Sequence, residues 1–376
     1  MSAFAERLGG GVRRNLPSIL APLGALLVAV AICSLILVGS GRSPAVAFNA
    51  MIEFSFTGQF APGTITSIIN KAVSYYLSAV AVAIGFRMGL FNIGVEGQYR
   101  LAGLIAASVG ASSVIAWMPG PLKIVVIILT AAAVGAAWAG IAALLKIYRG
   151  VNEVISTIML NFLGGSIFAY LIAHNLGVIG AGGQQHTSRT LPADARMPGL
   201  PHLTGTSSQV LGFIVVAAGV GVAYWWLLGR TRFGFDLRAA GSNPSAAVAS
   251  GVNAKRMVLV TMLLSGGVAG LVSLPDLTGH DYVIYSSLGG LGFTGIAIAL
   301  LGRNHPVGIA LAALLWAFLD QSRFALDLES IPKETIVIMQ GVTVLVVVVA
   351  YEVAARITRR QQQRSVGRAT GELEAA

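Results

Sequence analysis

Leu122-Lys-Ile-Val-Val-Ile-Ile-Leu-Thr-Ala-Ala-Ala-Val-Gly-Ala-Ala-Trp-Ala-Gly-Ile-Ala-Ala-Leu-Leu145 carries one charge, Lys123, and is closed by Lys146 and Arg149. A helix of this length is about 36 Å long, enough to cross a hydrocarbon core of about 30 Å. Working outward, similar apolar runs are expected as spans at 17–38, 65–86, 101–117, 154–174, 209–228, 257–275, 285–302, 306–324 and 335–353. The chain is 55% apolar and 11% charged, with a mean hydropathy of +0.78. A soluble domain has about 25% charged residues and shorter amphipathic runs. Soluble globular, disordered and fibrous classes are excluded. The expected fold is all-α: a polytopic transmembrane helical bundle of about ten spans.

The charges orient that bundle. Arg7, Arg13, Arg14, Arg87, Arg100, Lys146, Arg149, Arg230, Arg232, Arg238, Lys255, Arg256, Arg303, Arg356, Arg359, Arg360, Arg364 and Arg368 fall on one side of a ten-span path. Arg42, Lys71, Lys123, Arg189, Arg196, Arg323 and Lys333 fall on the other. The positive-inside rule then puts both termini in the cytoplasm. It also explains the net charge of +10 without nucleic acid, because the basic residues flank apolar runs and form no patch. The N-terminal run is too long for a signal peptide and reads as an uncleaved first span. The expected domains are a cytoplasmic segment 1–16, a transmembrane domain 17–353 and a cytoplasmic tail 354–376. Within the middle part, 175–208 is an external loop and 229–256 a cytoplasmic one. Five spans in each half make any repeat an inverted 5+5 one, with broken helices.

The chain holds no G-x-x-x-x-G-K-[S/T] nucleotide loop. Its single cysteine, Cys33, excludes disulfides, and its five histidines lie far apart, so no metal site is expected. Small residues recur every fourth position at Ala131, Gly135, Ala139 and Ala143, and again at Gly266 and Gly270. Such stripes let helix backbones approach closely in lipid.

Four segments have the polarity to carry function. Phe86-Arg-Met-Gly-Leu-Phe-Asn-Ile-Gly-Val-Glu-Gly-Gln-Tyr-Arg100 puts Asn92, Glu96 and Gln98 among glycines, between two apolar runs. It reads equally as a cytoplasmic turn or as a broken helix inside the membrane, where a carboxylate is costly. In the loop 231–256, Asn243-Pro244 reads as an N-cap with proline at the first helical position. A short alanine-rich helix over 244–250 follows, stopped by Gly251. Its weakly polar surface suits a docking groove on a partner. Gly150-Val-Asn-Glu-Val-Ile-Ser-Thr-Ile-Met-Leu-Asn161 opens a span, with Glu153 favourable to the helix dipole and Asn161 two turns deeper. Ala299-Leu-Leu-Gly-Arg-Asn-His-Pro-Val-Gly308 is a tight turn, and His305 in it is a turn residue.

Together, in this order and spacing, these segments resemble the permease subunits of bacterial ABC importers of the branched-chain amino acid/ribose type. The nearest likeness is to nucleoside (guanosine-type) and simple-sugar uptake permeases. The runs that carry it are Gly89-Leu-Phe-Asn-Ile-Gly-Val-Glu-Gly-Gln98, Val151 to Asn161, Leu300-Leu-Gly-Arg-Asn-His-Pro306 and Leu237 to Ala247 with Gly251. The resemblance covers residues 17–353. Leu274-Pro-Asp-Leu-Thr-Gly-His-Asp-Tyr-Val-Ile-Tyr285 is less typical of it.

The resemblance implies a chain without catalysis of its own in the bacterial inner membrane. It would pair with a second permease, a cytoplasmic ATPase holding ATP and Mg, and an external lipoprotein or periplasmic receptor. It implies that 243–251 couples to the ATPase, through Gly241, Asn243, Pro244, Ala246, Ala247 and Gly251. Substrate would pass near the break at 89–98, with Phe91, Asn92, Glu96, Gln98 and Asn161 along the path. An ion-coupled secondary transporter using Glu96 or Glu153 is the alternative. A membrane enzyme using Glu96 and His305 has no geometric support.

Overall fold

The computed structural model describes residues 24–179, 186–200, 209–280 and 289–374, with side chains beyond Val353 described only at Arg356. The segment 1–16, the first seven residues of the expected first span, His202 and residues 281–288 lie outside the described residues. The helices are α1 (Gly24–Gly39), α2 (Pro44–Ile52), α3 (Ala61–Phe86), α4 (Val95–Gly110), α5 (Gly120–Arg149), α6 (Glu153–His174) and α7 (Phe213–Arg230). They continue as α8 (Arg232–Ser242), α9 (Pro244–Ala249), α10 (Ala254–Gly270), α11 (Leu274–His280), α12 (Leu291–Leu301), α13 (Pro306–Leu328) and α14 (Glu334–Glu374). A three-residue hairpin, β1 (Gly177–Ile179) with β2 (His186–Ser188), lies in the expected external loop.

Seven helical stretches among the described residues are long and apolar enough to cross a membrane: α3, α5, α6, α7, α10 with α11, α13 and the first part of α14. The other three expected spans correspond to shorter helices. α1 has 16 described residues and α12 only 11. The span expected at 101–117 is shifted, because α4 starts at Val95 and ends at Gly110. Its start lies inside the segment that a simple turn would have filled. The tail from 354 continues α14 as helix to Glu374.

Contacts divide the chain into two units, one of residues 1–53 with 322–376 and one of residues 54–321. In the first, α1 and α2 are separated by the turn 40–43, and α14 follows Lys333. The second contains all four polar segments. Its centre is α10. Ser265 Oγ donates to Ala81 O at 2.6 Å and Thr261 Oγ1 meets Met88 Sδ at 3.2 Å, so α3 and α10 run antiparallel. On its other side α10 meets α5 through the small residues. A Cβ on Gly135 would stand 2.2 Å from Gly266 O, and one on Gly270 would stand 2.1 Å from Ala131 O. Any side chain there would force the backbones apart, which is why the two stripes match.

One order of lengths occurs twice. A long helix, a short one and two long ones make α3–α4–α5–α6, and again α10/α11–α12–α13–α14. The short helices exchange neighbours. α12 packs on α3, where Ser78 Oγ donates to Leu291 O at 2.7 Å, and α4 packs on α10, with Ser273 Oγ donating to Tyr99 O at 3.3 Å. Ser78 lies eight residues before the end of α3, so α12 starts about 12 Å inside that end.

Candidate functional site

The chain turns back at the end of α3. Gly89 takes φ +70°, and Leu90 N donates to Gly85 O at 3.0 Å, closing the helix with a left-handed residue. Residues 90–94 then fold back against the end of α3 without regular structure, and α4 starts where α12 starts. A Cβ on Gly292 would stand 2.5 Å from Glu96 N. Two helix N-termini therefore converge within the membrane-spanning region, each with unpaired backbone N–H groups and a positive dipole end.

Glu96 fills that point. Its Oε1 accepts from Tyr99 Oη at 2.8 Å, Arg100 Nε at 2.9 Å, Arg100 Nη2 at 2.7 Å and Gly290 N at 3.0 Å, while Oε2 accepts from Gly292 N at 3.0 Å. Four of these donors converge on Oε1 and one reaches Oε2, so most of the carboxylate's accepting capacity is taken up by the protein itself. Glu96 belongs to the first turn of α4 and caps the first turn of α12.

The neighbouring amides are also held by protein. Asn92 and Gln98 are buried and grip each other, Nδ2 to Oε1 at 3.0 Å and Nε2 to Oδ1 at 2.9 Å. Asn92 Nδ2 also donates to Ser265 Oγ at 2.8 Å, and Asn92 Oδ1 accepts from Gly94 N at 3.1 Å. Asn161 reaches over from α6: its Oδ1 accepts from Gly97 N at 2.9 Å and its Nδ2 donates to Ile93 O at 2.7 Å. Asn92, Glu96, Gln98 and Asn161 are thus brought together, with their polar groups turned to protein. Phe91 is different. It is exposed, and its ring lies 4.9 Å from that of Phe86.

The other two motifs close on the same place. Arg87 Nη2 donates to Asn304 O at 2.8 Å, and Tyr224 Oη donates to the same carbonyl at 2.6 Å. Arg303 and Asn304 both adopt positive φ, 54° and 52°, in the turn 302–305. His305 is exposed there. Gly241, at the end of α8, lies so close to Met88 that a Cβ would stand 2.7 Å from its carbonyl carbon. α9 follows as the sequence predicted. Asn243 Oδ1 accepts from Ala246 N at 3.0 Å, Pro244 is its first residue, and Gly251 takes φ +85°. Ala247 is buried and Val248 exposed. Glu153 opens α6 and pairs with Lys146 at 2.5 Å.

Sequence reasoning missed two features. The partners of Glu96 at Gly290 and Gly292 are almost 200 positions away and carry no side chain to signal them. The second is an ion pair, Lys71 Nζ to Asp320 Oδ2 at 2.5 Å, between α3 and α13. Its signal was a charge inside each of two apolar runs. A cavity of about 240 Å³ is lined by Ile69, Ala72, Tyr76, Ala217, Ala310, Leu314 and other apolar neighbours, which suits an acyl chain better than a polar solute. Among the described residues no group of three or more His, Cys, Asp or Glu is placed to hold a metal.

The family model for the permease component of branched-chain amino acid transport systems matches residues 64–348. The guanosine ABC transporter permease protein NupP of Bacillus subtilis is 34% identical over 349 residues, 90% of this chain and 96% of that protein. The glucose ABC transporter permease protein TsgB13 of Haloferax volcanii is 31% identical over 364 residues, 93% and 94% of the two chains. A second guanosine permease protein of Bacillus subtilis, NupQ, is 26% identical over 272 residues, 68% of this chain and 81% of its own.

Proposed function

The chain belongs to this permease family of branched-chain amino acid transport systems, and from that premise we propose that it forms, with a second permease, the membrane path for a nucleoside or simple sugar. As a permease of an ABC transporter it is a multi-pass membrane protein that works with a separate ATPase and a substrate-binding protein. Hydrolysis of ATP, with its Mg, belongs to the ATPase. Bacillus subtilis has two guanosine permeases similar to this chain, which supports a second, different permease as partner.

One observation carries the substrate class. Converging helix N-termini attract anions, and in broken-helix transporters they commonly face an anionic substrate group. Here that place is taken by Glu96 of the chain itself. Neither of these two helix ends is left for a phosphate or carboxylate, which supports a neutral, polar solute. This agrees with guanosine and glucose, the substrates in the names of two relatives.

In this reading Glu96, Asn92, Gln98 and Asn161 frame the path, and Phe91 offers an aromatic face to a base. Pro244, Ala246 and Ala247, with Gly241, Asn243 and Gly251 shaping the loop, seat the chain on the ATPase. The contact of Gly241 with Met88 links that seat to the break. The test is ATP hydrolysis and uptake by the assembled complex in liposomes, with guanosine, glucose and guanosine monophosphate as probes. Stimulation by guanosine or glucose, and none by the monophosphate, is the expected result. Uptake that survives ATP depletion and collapses with an uncoupler would overturn the reading.

A further inference from the structure

Lys71 is the eleventh residue of α3 and sits about 15 Å from its start, while α3 as a whole is about 39 Å long. With a hydrocarbon core of about 30 Å, its backbone lies about 10 Å inside the bilayer. A lysine at that depth usually extends its chain toward the headgroups. This one does not, because its ammonium is held 2.5 Å from Asp320, which lies about 12 Å from the end of α13. The Lys71 side chain nevertheless remains 41% exposed, against 7% for Asp320. A lysine side chain so exposed is poorly suited to lipid tails and faces a water-lined path or another protein chain.

A second carboxyl group lies on α11, which packs against α3. Asp276 of α11 is partly buried and within electrostatic reach of Lys71 and of His280. Among the described residues no hydrogen bond is made to it. Among the described residues the cluster thus brings one ammonium together with two carboxyl groups, and Asp276 is the one that accepts no hydrogen bond. Glu96, by contrast, accepts five hydrogen bonds from its own chain. Ammonium and carboxylate side by side match a pair of neighbouring hydroxyls, which both donate and accept, and charge-assisted hydrogen bonds are the stronger kind.

We propose that Lys71, Asp320 and Asp276 form a contact site in the path for the adjacent hydroxyls of a sugar ring, free or within a nucleoside. The proposal rests on the reading of the chain as a permease for such solutes.

The test uses the assembled complex in proteoliposomes, with guanosine and 2′,3′-dideoxyguanosine as probes. For each variant the uptake ratio to wild type is taken, so that the receptor's own preference between probes cancels. The double variant Lys71→Met with Asp320→Leu removes both charges together. It should lower guanosine uptake at least tenfold, lower dideoxyguanosine uptake less than threefold, and leave receptor-stimulated ATP hydrolysis within twofold. Asp276→Asn, which breaks no ion pair, should lower guanosine uptake alone by several fold. Unchanged guanosine uptake in both variants, or an equal loss for both probes, would overturn the site. If the double variant fails to assemble, the Asp276→Asn result decides in the same way. Absence of ATP-driven uptake of either probe by wild type would instead sink the permease reading itself.

Discussion

Glu96 and Lys71 are both charged groups inside apolar helical layers, yet they are held in opposite ways. Glu96 receives five donors from its own chain and is 9% exposed. Lys71 has one ion-pair partner in Asp320 and is exposed over 41% of its side chain. Burial of a charge is tolerated when its hydrogen-bonding capacity is met within the fold. A charge whose capacity is not met must find something else there. The group held by five donors is therefore read as framework, and the open one as a surface for a passing solute.

The largest effect that tests this contrast is at Glu96. Glu96→Ala leaves Arg100, Tyr99 and the first turns of two helices without an acceptor. Removing one partner of a buried pair costs about 3–5 kcal/mol. The variant should lose most of its yield as folded permease and unfold at a clearly lower temperature in detergent, as read by a thermal-shift assay. Replacing Lys71 and Asp320 together by apolar side chains leaves neither charge of the pair behind and should cost less than that. If both variants lowered the unfolding temperature equally, the distinction between frame and contact would be lost.

A smaller effect is expected at the amide pair. Asn92→Ala strands the Gln98 amide in the interior, while Ser265 keeps its bond to Ala81 O, and each unmet buried group costs about 1–3 kcal/mol. A double-mutant cycle of Asn92→Ala and Gln98→Ala should show strong coupling, because each residue is the other's partner through two hydrogen bonds. Additive losses would mean that the two amides act separately. Asn161→Ala comes next. It removes an acceptor from the first turn of α4, a change that costs about 1 kcal/mol at a helix N-terminus. It should lower stability without altering the discrimination between guanosine and its dideoxy analogue, whereas Asp276→Asn should do the reverse.

What the sequence made legible follows the range of each interaction. The stripe Ala131, Gly135, Ala139 and Ala143 and the pair Gly266 and Gly270 are local patterns, and they meet as their spacing requires. Asn243, Pro244 and Gly251 form a cap, a first turn and a stop within nine residues, and α9 obeys all three. The break before Glu96 was legible as polarity among glycines, although not as a helix start. Its meaning depends on Gly290 and Gly292, which have no side chains to betray a pairing across almost 200 residues. Lys71 and Asp320 were hidden for a different reason. One charge among about twenty apolar residues barely changes the mean hydropathy of a span, so the run is recognised and its exception is averaged away.

The smallest expected effect belongs to a third ion pair, which shows what solvent does to the same chemistry. Lys123, in the first turn of α5, is 5% exposed, and its Nζ lies 2.5 Å from Asp194, which is 53% exposed in the loop after β2. The hydrogen bond from the Lys123 ammonium holds the Asp194 carboxyl below its ordinary value of 3.8. A carboxylate whose pKa is lowered by folding stabilises the fold above its unfolded value, and that contribution disappears as pH falls through the folded one. Asp194→Asn should therefore lower the unfolding temperature slightly near neutral pH, and the difference from wild type should vanish in acid below the ordinary carboxylate range. Salt should weaken it as well, because water reaches Asp194. Glu96 is shielded from both, so thermal-shift measurements across salt concentration should leave the Glu96→Ala deficit in place while the Asp194→Asn deficit fades. A Glu96 deficit that faded in step with the Asp194 one would place Glu96 in contact with solvent and return it to the path.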